Sequence, residues 1–337
     1  MIPKYMRYSQ SEKMEIIRMV ENSELGATRT LEELNVNRST FYEWYRRYLE
    51  SGYDGLAPRY SPPNQFWNEI PPWERERVVD IALEKPELSP RELAWHITDT
   101  RDYFISESSV YRILKAHNLI TSPVYIVLSA ADKFSQPTRR VNELWQTDFT
   151  YLKVIQWGWY YLSSVMDDYS RYIISWDLFK SMRTDDVKVT VNRAVDITGV
   201  RDLNISQRPR LLSDNGSCYV SGEFRKYLNT QGIKHIRGAP YHPMTQGKIE
   251  RYHRSMKNII KLTNYYSPEE LNEEISKFVE YYNQSRYHEG INNLTPADVY
   301  AGKGEEILAT RKKTKVRTMR NRRSINKKRL ELQESVS

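Results

Sequence analysis

Between Pro58 and Pro72, five of fifteen residues are proline. Proline lacks a backbone N–H and its ring clashes with the preceding helical turn, so no helix interior or central strand passes through such a stretch. The 337-residue chain is therefore divided early, and its length suits two or three domains. Up to about residue 120 apolar residues recur at helical spacing, and from Val141 alternating, aromatic-rich segments take over. A hydrophobic fraction of 39% with 12% aromatics suffices for packed cores and excludes wholesale disorder. No window approaches the roughly 18 uninterrupted apolar residues of a membrane span. The charged first twenty residues are no secretory signal. Cys218 is the only cysteine, which removes disulfide frameworks and Cys-based zinc sites. The pattern is that of an intracellular protein without a membrane partner.

The N-terminal third holds one kind of helical unit twice. Ser9-Gln10-Ser11-Glu12 is a capping box opening a helix with Met14, Ile17 and Val20 on one face. Gly26 breaks it, a short helix carries Leu31 and Leu34, and Asn37 caps a third helix with Phe41, Tyr45 and Tyr48. Three short helices with a tight turn before the last form a helix-turn-helix pattern, although a plain protein-binding bundle fits this segment nearly as well. Arg38, Ser39, Thr40 and Tyr42 lie near the start of the third helix, where such helices reach base edges. After the proline-rich stretch a helix is predicted from about Trp73 to Leu83, then one opened by Ser89-Pro90-Arg91-Glu92, then one from about Glu107 to His117. In the last, Val110, Ile113 and Leu114 point inward and Tyr111, Arg112 and Lys115 outward. Two such modules in tandem favour DNA binding.

The net charge of +8 is a property of the C-terminus. From Arg311 to Arg329 there are eleven Lys or Arg and no acid, and the remaining chain carries 40 basic against 43 acidic residues. Such a block marks a nucleic-acid contact or a solvated tail. With only Val316, Met319 and Ile325 clearly apolar, it is expected to be mobile until it meets DNA.

From Trp145 three strands are predicted, ending near Val154, Met166 and Phe179, with turns at Gln156-Trp157-Gly158 and Asp167-Asp168-Tyr169-Ser170. Thr184 is a predicted cap for the next helix. A strand at Arg210–Leu212 ends at Asp214-Asn215-Gly216. It is followed by a helix from about Gly222, a strand at Lys234–Ile236, a loop with Gly238 and two prolines, and a long helix from Gly247 to about Leu262. Three antiparallel strands followed by alternating helix and strand is the order of a ribonuclease H-like α/β domain.

Three carboxylates stand at mechanistically useful places. Asp148 lies mid-strand, where an acid suits an ordinary sheet core poorly. Asp214 follows a strand end, at the edge where open α/β sheets place their sites. Glu250 is in the first turn of the long helix. Clustered carboxylates need cations, and hard oxygen donors favour Mg²⁺. Surface ion pairs are the alternative for Asp148 and Glu250. On the long helix Ile249, Tyr252, Met256 and Ile260 form an apolar stripe, while Glu250, Arg254, Lys257 and Lys261 share another face, as a backbone track would. Lys248 joins the DNA-contact set. His242 and His253 could reach phosphate or bases, but are read as structural.

The stretches WQTDFTYL (145–152), DDYSR (167–171), LLSDNGS (211–217) and APYHPMTQGKIERYHRSMK (239–257) resemble the integrase core of bacterial insertion-sequence DDE transposases, a group similar to retroviral integrases. The resemblance implies that Asp148, Asp214 and Glu250 are catalytic and hold Mg²⁺ or Mn²⁺, two ions per site, with no zinc and no organic cofactor. It puts the group's basic residue on Lys257. It also implies cleavage at transposon ends and transfer of the 3′-hydroxyl to target DNA by a homo-oligomer assembled on double-stranded DNA, in a bacterial cytoplasm at the nucleoid. The expected organisation is a helix-turn-helix domain over 1–57, a linker over 58–72, a second helix-turn-helix domain over 73–120, a linker over 121–140, the core over 141–302 and a basic tail over 303–337. A nuclease of the same fold, or a DNA-binding protein with an inactive core, are the rival readings.

Overall fold

The computed structural model describes residues 8–23, 25–57, 67–120, 138–237 and 247–334. The chain divides into two compact units, one of residues 1–127 with 309–337 and one of residues 128–308. The loop with Gly238, its prolines and His242 lies outside the described residues, as does most of each linker.

The first unit is helical. α1 (Gln10–Glu21), α2 (Ala27–Glu33) and α3 (Arg38–Ser51) enclose Ile17, Leu31, Phe41 and Trp44. Both ends of the predicted capping box are made: the Glu12 N–H donates to Ser9 Oγ at 3.3 Å and the Ser9 N–H to Glu12 Oε2 at 2.6 Å. Asn37 caps α3 by accepting the Ser39 N–H at 3.0 Å. The second module repeats the plan with α4 (Pro72–Glu84), α5 (Pro90–Thr100) and α6 (Glu107–Ala116) around Val78, Leu93, Ile97, Val110 and Leu114. The turn before each last helix uses a left-handed residue, Asn35 at φ 53° and Asp102 at φ 51°. Asn and Asp tolerate that conformation best among side chains with a Cβ. Lys115 reaches Glu12 at 2.9 Å and joins the two modules.

In the second unit β1 (Leu144–Val154), β2 (Gly158–Asp167) and β3 (Ile173–Phe179) form an antiparallel meander. α7 (Thr184–Thr198) follows, then β4 (Arg210–Ser213), the single-turn α8 (Ser217–Val220), α9 (Gly222–Thr230) and β5 (Lys234–Arg237). The sheet order is β3-β2-β1-β4-β5, with β4 parallel to β1 and β5 parallel to β4. α10 (Gly247–Ile260) and α11 (Pro268–Gln284) cover one face through Leu152, Leu162, Ile249, Tyr252, Met256 and Phe278. α7 and α9 cover the other through Trp145, Val165, Val191 and Phe224. Short α12 (Pro296–Tyr300) closes the unit, its Tyr300 stacked on Tyr172 at 4.6 Å. Thr184 is not the cap of α7. It begins the helix and its hydroxyl donates to the Cys218 carbonyl at 3.0 Å, while Asp186 accepts the Arg183 N–H at 2.8 Å.

The basic block departs from expectation. Residues 311–329 are not a loose tail but lie in α13 (Gly304–Glu334), a helix packed on the second module. Arg311, Thr314, Thr318, Arg322 and Asn326 recur at helical spacing and are buried. Arg311 forks onto Asp99 at 2.8 and 2.6 Å and stacks over Trp95 at 4.5 Å. Thr314 donates to Asp102 at 2.6 Å, and Thr318 accepts the Phe104 N–H at 3.0 Å. Arg322 donates to the Tyr103 hydroxyl at 2.8 Å and the Phe104 carbonyl at 2.7 Å. Asn326 donates to the Trp67 carbonyl at 3.0 Å. The helix needs no apolar stripe because its buried face is satisfied by the acids and backbone of the module beneath.

Candidate active site

Gln146 organises the site. Its Nε2 donates to Asp168 Oδ1 at 2.7 Å and its Oε1 accepts the Ile249 N–H at 3.2 Å, tying the start of α10 to β1. Lys248 fixes the same turn, its ammonium donating to Asp168 Oδ2 at 2.6 Å and to the Asp168 carbonyl at 3.0 Å, with both side chains buried. Thr138 donates to the same carboxylate at 2.6 Å. The neighbouring Asp167 is buried beneath the N–H groups of Asn142 and Ser170 and the Ser170 hydroxyl, at 2.6–2.9 Å. The DDYSR segment is therefore the lock that sets α10 on the sheet. Lys248 is part of that lock, which corrects its assignment as a DNA contact.

Strand alternation puts Gln146 and Asp148 on the α10 face. The parallel ladder pairs Leu144 with Arg210 and Gln146 with Leu212, and Asp214 follows directly on the end of β4, near enough to Asp148 to feel its charge. Neighbouring strands run about 4.8 Å apart. The Asp214 carboxyl is pushed above the usual carboxylate range by partial burial and by the Asp148 charge, against the pull of the Gly216 N–H that it accepts at 2.8 Å. Glu250, one turn into the pinned helix, shares with Asp148 a cavity of about 430 Å³. Arg254, Lys257 and Lys261 line it too, so the whole predicted polar face of α10 borders one space. Burial and the nearby Lys261 depress the Lys257 ammonium, which sits 4.3 Å over the Tyr151 ring.

His253 is the satisfied structural histidine that the sequence suggests: buried, its Nδ1 lies 3.3 Å from Asp148 Oδ2 and its Nε2 3.5 Å from Ser164 Oγ. It steadies one of the three acids. What the sequence did not show is that one of its partners is Asp148.

Among the described residues no three His, Cys, Asp or Glu side chains are grouped closely enough to cage a metal together. The donor set still fits a hard cation. Mg²⁺ commonly takes one or two carboxylates, keeps several waters and completes its shell with substrate phosphate. Asp148 and the nearby Asp214, with Glu250 lining the same cavity as Asp148, offer oxygen donors of that open kind.

Arg38, Ser39 and Tyr42 are exposed near the start of α3 and Thr40 is half-buried. Ser39 also donates its hydroxyl to Asn37 Oδ1 at 2.7 Å, within the cap. On α6, Arg112 is exposed and Tyr111 half-buried, with Arg112 Nε on the Ser108 carbonyl at 3.1 Å.

Comparison with known proteins matches residues 138–243 and 231–296 to families described as integrase core domains, and residues 7–57 and 40–114 to homeodomain-like domains. The Gag-Pro-Pol polyprotein of human T-cell leukemia virus 3 (strain 2026ND) is 31% identical over 130 residues, covering 38% of this chain and 8% of the polyprotein. A protein of Escherichia coli (strain K12) named as a transposase, InsK, for insertion sequence element IS150 is 27% identical over 160 residues, 47% of this chain and 54% of that protein. The chain thus spans less than a tenth of the viral relative and about half of the bacterial one. Among solved structures, the HTLV-2 integrase catalytic core domain in complex with magnesium is 22% identical, with a TM-score of 0.38, over 48% of this chain and 97% of that one.

Proposed function

We propose that this chain, which matches integrase core and homeodomain-like domains, is an insertion-sequence transposase of the integrase superfamily that cleaves phosphodiester bonds at the ends of its element and joins the freed 3′-hydroxyls to target DNA. The observation that carries this reading is the meeting of Asp148 and Glu250 in one cavity with Arg254, Lys257 and Lys261, with Asp214 just past the end of β4 and near enough to feel the Asp148 charge. Acids that can hold cations and cations that can hold phosphates face the same space.

In this reading Asp148, Asp214 and Glu250 hold divalent cations, Mg²⁺ or Mn²⁺. Bound there, such ions supply Lewis-acid activation of the phosphodiester and of the attacking oxygen. Water attacks phosphorus first and the 3′-oxygen leaves. The same 3′-hydroxyl then attacks a target phosphodiester and displaces the target's 3′-oxygen. Lys257, Arg254 and Lys261 hold the backbone in place, His253 steadies Asp148, and Gln146 with the Lys248–Asp168 pair keeps Glu250 at the cavity. The starts of α3 and α6, with Arg38, Ser39, Thr40, Tyr42, Tyr111 and Arg112, read the element's ends in duplex DNA. A homo-oligomer assembled on DNA brings the two ends together.

The test is Asp148→Asn, Asp214→Asn and Glu250→Gln, assayed separately for end binding, end cleavage and strand transfer. Each amide keeps the shape and removes the charge that holds the cation. Cleavage and joining should be abolished with end binding retained. Cleavage at the unaltered rate in any one variant removes that residue from the site, and cleavage without joining in the unaltered protein makes it a nuclease.

A further inference from the structure

β1 has different company along its two edges. β2 pairs with it through to Val154, whereas β4 pairs only over Leu144–Gln146. Among the described residues no strand covers that second edge beyond Gln146, and there Asp148, Phe149, Thr150 and Tyr151 line the cavity. Tyr151 lines the cavity yet is 54% exposed, and its ring meets that of Trp159, itself 52% exposed, edge-on at 5.3 Å. In the hairpin register Lys153 stands opposite Trp159 and Tyr161 opposite Tyr151, all on one face. Lys257, a cavity residue, places its ammonium 4.3 Å over the Tyr151 ring. Alternation sets Tyr151 on the sheet face opposite Asp148, so the cavity reaches its ring around the uncovered edge of β1, and Trp159 with Lys153 lies beyond it on that second face.

We propose that Tyr151 and Trp159 form a ledge that stacks an unpaired base of the DNA strand whose phosphate lies at Asp148. The chemistry of the patch selects this occupant. Every nucleobase has a π-face that stacks on an aromatic ring, and a backbone phosphate follows each base, which Lys153 and Lys257 are placed to meet. A protein partner would account for the rings but not for their continuity with the cation-lined cavity. The separation also fits: three residues from Asp148 to Tyr151 advance about 10 Å along β1, and a strand of a few nucleotides covers that distance while rounding the open edge to the second face. A base in a duplex cannot use the ledge, so it favours ends whose terminal pairs are opened, without preference for which base is stacked.

This inference rests on the reading of the cavity as a DNA-cleaving site, and its test measures binding without cleavage. Full-length protein and the variants Trp159→Ala, Tyr151→Ala and Trp159→Phe are titrated with a fluorescent octathymidylate, and relaxed closed-circular duplex is measured as competitor. The two alanine variants should bind the octamer about five- to hundredfold more weakly, the phenylalanine variant should keep most of the affinity, and the Trp159 variants, outside the cavity, should leave duplex binding unchanged. Unchanged octamer binding overturns the ledge, as does an equal loss on both DNAs. A changed sedimentation behaviour with normal octamer binding overturns it too, and makes the patch a contact between copies. A protein that cuts DNA while its Trp159→Ala form binds the octamer normally loses the ledge alone. A protein that never cuts but shows the octamer effect keeps the ledge and loses the cleavage reading.

Discussion

Replacing Arg311 by alanine should release α13 from the second helical module. The Arg311 side chain is 6% exposed, donates to both Asp99 oxygens at 2.8 and 2.6 Å and stacks at 4.5 Å over Trp95. Removing one partner of a buried ion pair costs about 3–5 kcal/mol, because the other charge is left uncompensated. Asp99 keeps 24% exposure, so water recovers part of that loss and the low end, about 3 kcal/mol, is expected. At about 1.4 kcal/mol per tenfold, the helix should open roughly a hundredfold more often. Native-state hydrogen exchange of the full chain reads this directly, as faster exchange confined to amides of α13 and the α5–α6 turn. Arg311→Lys should fall between, since an ammonium cannot form the two-pronged contact. Asp99→Asn combined with Arg311→Ala should cost less than the sum of the two, because each already breaks the same contact. If α13 in the unaltered protein exchanges as fast as an unstructured peptide, or if Arg311→Ala leaves its exchange unchanged, the docking argument is wrong.

The two lysines of α10 should behave oppositely. Lys248→Met strands Asp168 in the interior and should destabilise the protein by about 3 kcal/mol, read as a lower urea midpoint, whereas Lys257→Met should leave the midpoint nearly unaltered and lower DNA cleavage. Cys218 should react slowly: burial, then the Asp214 charge, push its thiol up to about 11, so alkylation at pH 8 should be about a hundredfold slower in the native than in the unfolded chain. Asp214→Asn should speed that alkylation, and an unchanged rate would detach Asp214 from the thiol's surroundings. Changing the exposed Arg320, Arg323, Lys327 and Lys328 of α13 to Gln should flatten log affinity against log salt by about 0.9 for each cation that meets a phosphate. It should leave exchange in α13 untouched, because none of these four is in its buried stripe.

Much of the fold was legible because local chemistry and tertiary packing agree. Ser9 with Glu12 and Ser89 with Glu92 make the capping boxes that their spacing announces. The α10 stripe of Ile249, Tyr252, Met256 and Ile260 is buried throughout. Asp148 was conspicuous as an acid within a strand, and Asp214 as an acid directly after one. What the spacing could not supply was their proximity, which comes from pairing β1 with a strand some sixty residues away in sequence. The basic block was misread for a physical reason. A helix without an apolar stripe has no visible reason to dock, and the reason here lies in Asp99, Asp102 and the Phe104 backbone of another segment. Thr314, Thr318 and Asn326, which interrupt the cations at helical spacing, were the one local trace of it.

Lys248 shows how a helical wheel decides between a ligand contact and a structural one. Nine residues separate it from Lys257, which at 100° per residue is half a turn, so the two ammonium groups leave α10 in opposite directions. Lys248 precedes Tyr252 by four and so belongs to the buried side, where a cation persists only with a carboxylate to meet it. That carboxylate is Asp168 of the DDYSR segment, whose acids read as an ordinary turn until the partner helix is known. Glu250 lies two residues further along, where the helix has turned toward the cavity. The buried pair thus holds the turn that carries Glu250 to the cavity shared with Asp148, and a charge paired in the interior fixes the place of the three cations that line it.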